Sequence, residues 1–201
     1  MKIDRLMLAT SNPGKLREYQ RLAPASPIAI ELLPNFAQLP PFDESAPTFA
    51  ENAAGKAIHY SRFADGVVLA EDSGLVVPSL NGAPGVRSAR YAGENATDAD
   101  RNHKLLAEMS RFKGEARIAR FICVTALAQK GSAIAVVSDS AQGLIAGEPR
   151  GASGFGYDPI FLVPEIGKTF AQATPDEKDR LSHRGKAFRK LLSYLQTPAV
   201  I

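Results

Sequence analysis

An apolar segment, Leu6-Met7-Leu8-Ala9, runs within three residues into Asn12-Pro13, a helix N-cap residue followed by proline at the first helical position. A buried strand feeding a capped helix is the opening of an α/β unit, and the same logic recurs along the chain. Thr48-Phe49-Ala50-Glu51 has the form of a capping box and predicts a helix carrying Ala53, Lys56, Ala57 and Tyr60 towards Phe63. Val67 to Ala70 then reads as a second buried strand, and Thr97 caps a helix from about Asp98 to Met109. The apolar runs Arg117–Leu127 and Ala133–Ser138 are separated by Gln129-Lys130-Gly131, which predicts an antiparallel hairpin and therefore a mixed sheet. Thr174-Pro175-Asp176-Glu177 opens another helix, and the spacing of Phe188, Leu191, Leu192 and Leu195 predicts an amphipathic last one. The class is α/β with a mixed sheet. With 201 residues, 45% of them hydrophobic, the chain can bury one substantial core. No repeat or Ser/Gly linker marks a boundary, so one compact domain over 1–201, bilobed at most, is expected.

Charge and cysteine content narrow the function classes. Lys and Arg total 24 against 21 Asp and Glu, so the net charge of +3 is a small excess on a mixed surface and implies no bulk binding to nucleic acid. No apolar run approaches the roughly 20 residues of a membrane helix. The opening Met1-Lys2-Ile3-Asp4-Arg5 leads into a short apolar stretch without a cleavage region, so a cytoplasmic, soluble protein is expected. The single cysteine, Cys123, lies inside Phe121-Ile122-Cys123-Val124 and reads as a buried, inert thiol; one cysteine excludes an internal disulfide and a cysteine-based zinc site.

Polar and glycine residues concentrate in five segments. Thr10-Ser11-Asn12-Pro13-Gly14-Lys15 joins a strand end to a helix start, where backbone N–H groups and a lysine suit phosphate oxygens, although a plain helix cap accounts for the same residues. It is no Walker A loop, because the Gly-Lys pair is followed by Leu16. Glu44 precedes the Thr48 helix, whose Glu51 is explained equally well as the reciprocal partner of a capping box; Glu44 is open to surface solvation or a ligand role. Glu71-Asp72-Ser73-Gly74 places two carboxylates at the end of an apolar strand, either as turn formers or as the oxygen ligands that Mg²⁺ favours. Gly151-Ala152-Ser153-Gly154-Phe155-Gly156-Tyr157-Asp158-Pro159 lacks the glycine order of a dinucleotide fingerprint and suits either a Gly-rich turn or a loop offering an aromatic face to a base. Lys178 to Lys190, centred on Ser182-His183-Arg184-Gly185-Lys186, is either a solvated basic face or a set of donors.

These motifs, together with Pro84-Gly85-Val86-Arg87-Ser88-Ala89-Arg90-Tyr91, occur in the order in which they stand in the inosine triphosphatase family, and the chain resembles that family from about Leu8 to Leu192. The resemblance implies an α/β fold with a long central mixed sheet, two lobes flanked by helices, an active-site cleft between the lobes, and a homodimer. It further implies Mg²⁺-dependent hydrolysis of purine nucleoside triphosphates such as ITP, dITP and XTP to the monophosphate and pyrophosphate. Carried over by motif, Thr10, Ser11, Asn12, Pro13, Gly14 and Lys15 cradle phosphates. Glu44 and Asp72 hold the metal, with Glu71 as a further candidate ligand and Asp72 as acceptor of the water's proton. Ser73, Phe155, Gly156, Tyr157, Asp158, Lys178, His183 and Arg184 contact substrate, Phe155 by stacking on the purine. Glu71 stands where many members carry an aspartate, and Gln172 where an acidic residue is common, so Gln172 receives no role. The rivals are a related-fold pyrophosphatase of modified pyrimidine or standard nucleotides, and a nucleotide-binding regulator without catalysis.

Overall fold

A computed structural model describes residues 3–25 and 28–196. In chain order the elements are β1 (Arg5–Leu8), α1 (Pro13–Leu22), β2 (Ala29–Leu32), α2 (Phe49–Tyr60), β3 (Val67–Val76), α3 (Asp98–Glu108), β4 (Ile118–Gln129), β5 (Ser132–Ile145), β6 (Phe161–Val163), β7 (Lys168–Thr169), α4 (Pro175–Leu181) and α5 (His183–Gln196). The strands form a seven-stranded sheet in the order β2-β1-β3-β4-β5-β6-β7. It is mixed as expected: β1 pairs in parallel with β2 and β3, whereas β5 with β6 and β6 with β7 are antiparallel. Among the described residues, no helix is long and apolar enough to cross a membrane.

The helix starts follow the chemistry of their caps. Asn12 Oδ1 accepts from the backbone N–H groups of Gly14 and Lys15, at 2.8 and 3.2 Å, with Pro13 at the first helical position. Thr97 with Asp100, and Thr174 with Glu177, form complete capping boxes. The Thr48 box is half made: Thr48 Oγ1 accepts from Glu51 N, but the Glu51 carboxylate takes the Thr48 hydroxyl, at 2.6 Å, in place of the cap's backbone N–H. Lys130 and Gly131, with φ of 50° and 79°, connect β4 to β5 through the doubly left-handed backbone of a type I′ hairpin turn.

One expectation needs correction. The strand predicted over Val67–Ala70 runs on to Val76, so Glu71 and Asp72 lie in mid-strand and not at a strand end. Polar residues there do not stop pairing, because each finds a partner on its own side of the sheet.

The chain divides into two compact units, the first from residues 1–72, 123–139 and 184–201, the second from 73–122 and 140–183. The first has a core of Leu6 and Leu8 from β1, Val67 and Leu69 from β3, Tyr19 and Leu22 from α1, and Phe188, Leu191 and Leu192 from α5. Tyr19 and Phe188 meet edge to face at 5.5 Å. The second is built on Leu75, Val77, Leu105, Met109, Phe121, Ile145, Phe161 and Phe170. Its β5 passes close to β6 at Gly143, where a Cβ would run into the Leu162 carbonyl and stand 2.7 Å from the Phe161 ring. Gly143→Ala is therefore expected to destabilise the protein by about 1–3 kcal/mol through overpacking, read as a lower urea midpoint with an unchanged slope.

Candidate active site

In a β-strand successive side chains point to opposite faces, so the neighbours Glu71 and Asp72 are sent apart. Glu71 turns to the side covered by α1 and α5. There Arg184 grips it as a fork, Nε to Oε2 at 2.7 Å and Nη2 to Oε1 at 2.6 Å, while the third guanidinium nitrogen, Nη1, bonds Glu18 of α1. Arg184 is only 2% exposed, and although burial works against its charge, Glu71 and then Glu18 hold its pKa well above the usual value. Lys15 Nζ stands 3.3 Å from Glu71 Oε1. Lys15, at the end of the Thr10–Lys15 motif, thus rests on the same carboxylate that Arg184 orients.

Asp72 turns the other way, towards α2. Its Oδ2 accepts from Asn52 Nδ2 at 2.9 Å. Asn52 also accepts from Ala46 N at 3.0 Å, tying the Asp72 strand to the segment that carries Glu44. That segment lies along α2: Phe42 N donates to Tyr60 Oη at 3.2 Å, and Phe42 covers Gly55 so closely that a Cβ there would lie 2.6 Å from the ring. Glu44 Oε1 accepts from Lys56 Nζ at 2.6 Å. Burial pushes the Asp72 carboxyl above the usual carboxylate range; the Asn52 hydrogen bond, Lys15 and Lys56 oppose that push and Glu44 adds to it.

A carboxylate whose ionisation is opposed by burial and by a second carboxylate nearby, with lysines at hand, suits a hard divalent cation bound by one or two protein oxygens and completed by phosphate and water. Among the described residues there is no cluster of three or more His, Cys, Asp or Glu that would cage a metal by itself. Glu44 and Asp72 fit magnesium in this sense. Glu71 fits it poorly, since both of its oxygens already receive cationic donors.

Thr10 is buried and its Oγ1 accepts from Asn12 N at 3.1 Å, which sets the cap. Ser11 and Pro13 are exposed, Asn12 and Lys15 half-buried, and Gly14 buried at the first turn of α1. Ser73 follows Asp72 in β3 and is half-buried.

In the second unit, Phe155 N donates to Asp158 Oδ2 at 2.8 Å, and Lys178 Nζ meets the same oxygen at 2.5 Å. Lys178 Nζ lies 5.1 Å from the centroid of the Phe155 ring, within cation–π range. Gly154 has φ of +80°, and a Cβ on it would overlap the Asp158 carboxylate, so this position requires glycine twice over. Tyr157, expected to touch substrate, is buried in the core and donates to Ser88 O at 2.9 Å. His183 is buried and stacks on Phe121 at 4.6 Å with an interplanar angle of 8°. Cys123 is buried, and burial together with Glu71 drives its thiol pKa well up, so it is no thiolate nucleophile.

The sequence profile of the Ham1 family matches residues 6–194. The chain belongs to the Ham1 family. Similar proteins include the dITP/XTP pyrophosphatase of Geobacillus kaustophilus, 48% identical over 92% of this chain and 91% of that one. That of Thermus thermophilus is 49% identical over 94% and 90% respectively. Among solved structures, a HAM1 protein from Coxiella burnetii superposes with a TM-score of 0.84 at 41% identity, covering 95% of this chain and 98% of its own. A Ham1 fold here therefore carries the residues that the motifs pointed to, with Arg184 and Glu71 committed to each other.

Glu18 escaped the sequence reading, Asn52 and Lys56 entered it only as part of the Thr48 helix without a role of their own, and helical spacing held a signal for all three. Gly14, Glu18 and Leu22 share the buried stripe of α1, and Asn52, Lys56 and Tyr60 that of α2. A charge or amide on an apolar stripe announces a buried partner. Arg184→Ala would leave Glu18 and Glu71 buried without their shared cation and should lower stability by about 3–5 kcal/mol in urea unfolding, with Arg184→Lys intermediate because it keeps the charge and loses the fork.

Proposed function

We propose that this chain hydrolyses deaminated purine nucleoside triphosphates, ITP, dITP and XTP, to the monophosphate and pyrophosphate. The observation that carries the reading is Asp72: a buried carboxylate held through one oxygen by Asn52, its pKa raised, with Lys15, Lys56 and Glu44 near enough to act on its charge. Its Ham1 relatives in Geobacillus and Thermus, named dITP/XTP pyrophosphatases, supply the substrate class.

Each residue then has a task. The first turn of α1 presents backbone N–H groups and its positive dipole end to phosphate oxygens, and Lys15 neutralises charge that grows as the bond to the α-phosphorus breaks. Asp72, with a carboxyl biased towards holding a proton, accepts one from the attacking water. Glu44 and Asp72 are the residues that would hold Mg²⁺. When bound, the metal supplies Lewis-acid polarisation of phosphate oxygens and charge neutralisation. Phe155 offers its ring to the purine, and Lys178 is held beside it by Asp158 to donate to the 6-keto oxygen. Pyrophosphate leaves as an intact group, and no covalent intermediate on the protein is required. In this reading the enzyme works in the cytoplasm as a homodimer, the state that the family resemblance implies.

With ITP and Mg²⁺ the products should be the monophosphate and pyrophosphate; diphosphate with orthophosphate would overturn the assignment. Asp72→Asn keeps the hydrogen bond acceptor and removes the base, so kcat should fall by about 10²–10⁴-fold in a protein of native thermal stability. Selectivity provides a second test. A donor meeting the amine of ATP would be left unpaired, so kcat/KM for ITP and XTP should exceed that for ATP by about 10²-fold or more. Comparable values for ITP and ATP at equal Mg²⁺ would defeat the substrate reading.

A further inference from the structure

The loop carrying Phe155 is tied to α3, outside any residue placed at the substrate. Asp98, at the first position of α3, accepts through Oδ2 from the backbone N–H of Gly156 at 2.7 Å. Asn102, one helical turn on, donates through Nδ2 to the carbonyl oxygen of the same residue at 3.1 Å. Both polar groups of Gly156 are thus taken by one helix face, because residues at i and i+4 lie one above the other. Gly156 has φ of +63°, a backbone conformation that glycine adopts readily and side-chain-bearing residues rarely do, so the clamped peptide calls for glycine.

Two further observations separate these side chains from ordinary helix packing. Asp98 is itself oriented by Arg101, which bonds its Oδ1 and anchors on the carbonyls of Ala89 and Ala96 at 3.0 and 2.5 Å. Asn102 is 5% exposed, and among the described residues its Oδ1 has no hydrogen-bond partner. A buried acceptor left unmatched costs stability, and an apolar residue would fill the position without that cost. What the amide provides there is one bond, to the loop.

We propose that Asp98 and Asn102 are positioning residues for purine recognition: by clamping the Gly156 peptide they hold Phe155 and Asp158, and through Asp158 the Lys178 ammonium, in the arrangement that meets the base. This rests on the reading of Phe155 and Lys178 as base-contacting groups. Loosening the clamp allows the loop more conformations, only a fraction of which bind, and the apparent affinity falls by that fraction. Phosphate contacts made by Lys15 do not depend on it.

The chain contains no tryptophan, so Phe155→Trp installs a single optical reporter on the loop. In that background Asp98→Ala or Asn102→Ala should raise acrylamide quenching about twofold or more, as a clamped segment becomes locally mobile. With Phe155 intact, the same substitutions should raise KM for ITP about tenfold while kcat stays within about threefold. The inhibition constant of inorganic tripolyphosphate, which carries no base, should be unchanged. Asp98→Asn keeps an acceptor oxygen and should recover most of the lost affinity, an outcome that guards against misfolding of the alanine variant. Unchanged quenching in both alanine variants would overturn the clamp. Raised quenching with unchanged KM would overturn its role in recognition. If the unsubstituted protein failed to hydrolyse ITP, the functional reading would fall, and quenching would still decide whether α3 holds the loop.

Discussion

The pleat of β3 separates two carboxylates that are adjacent in sequence, and the chemistry of the first unit follows from that separation. Were Glu71 and Asp72 on one face, two buried negative charges would compete for the same cations, and at least one would be driven to bind a proton. On opposite faces each acquires its own surroundings. Glu71 is neutralised by a guanidinium fork and a lysine, and serves as a fixed point. Asp72 receives one amide hydrogen bond and is left with a raised proton affinity, the property a base needs.

The Arg184 tie illustrates why buried charge is tolerated. Replacing such an ion pair with apolar side chains often makes a protein no less stable, so stability alone is a weak reason for its presence. What it does here is geometric: it locks α5 to α1 and β3 through Glu18 and Glu71, and it sets the carboxylate on which Lys15 rests. The second unit uses the same device, with Asp158 receiving both a backbone N–H and the Lys178 ammonium.

Cap chemistry made the fold legible. Asn12-Pro13, Thr97 and Thr174-Pro175 each start a helix at the expected residue, since capping depends on a few adjacent side chains. The extent of β3 was not legible, because the carboxylates that seemed to end it are paid for by partners far away in sequence, Arg184 and Asn52. For the same reason spacing could not tell whether Arg184 faces a ligand or another part of the protein. The Phe155 loop could be found by its glycines, whereas its link to Asp98 could not, since nothing in the pattern of α3 says which loop lies over its first turn.

The composition of the first unit has a bearing on how the chain acquires its structure. That unit draws on residues 1–72, 123–139 and 184–201, so its strands and its closing helix are made at opposite ends of synthesis. Until Arg184 has emerged, Glu18 and Glu71 have no guanidinium to receive them, and Tyr19 lacks the Phe188 ring that covers it. Such long sequence separations slow folding, because loop closure must precede the contacts that reward it. A nascent chain arrested short of α5 would expose an apolar β1–α1 surface around two carboxylates that lack their guanidinium, a species for chaperones to hold and proteases to remove.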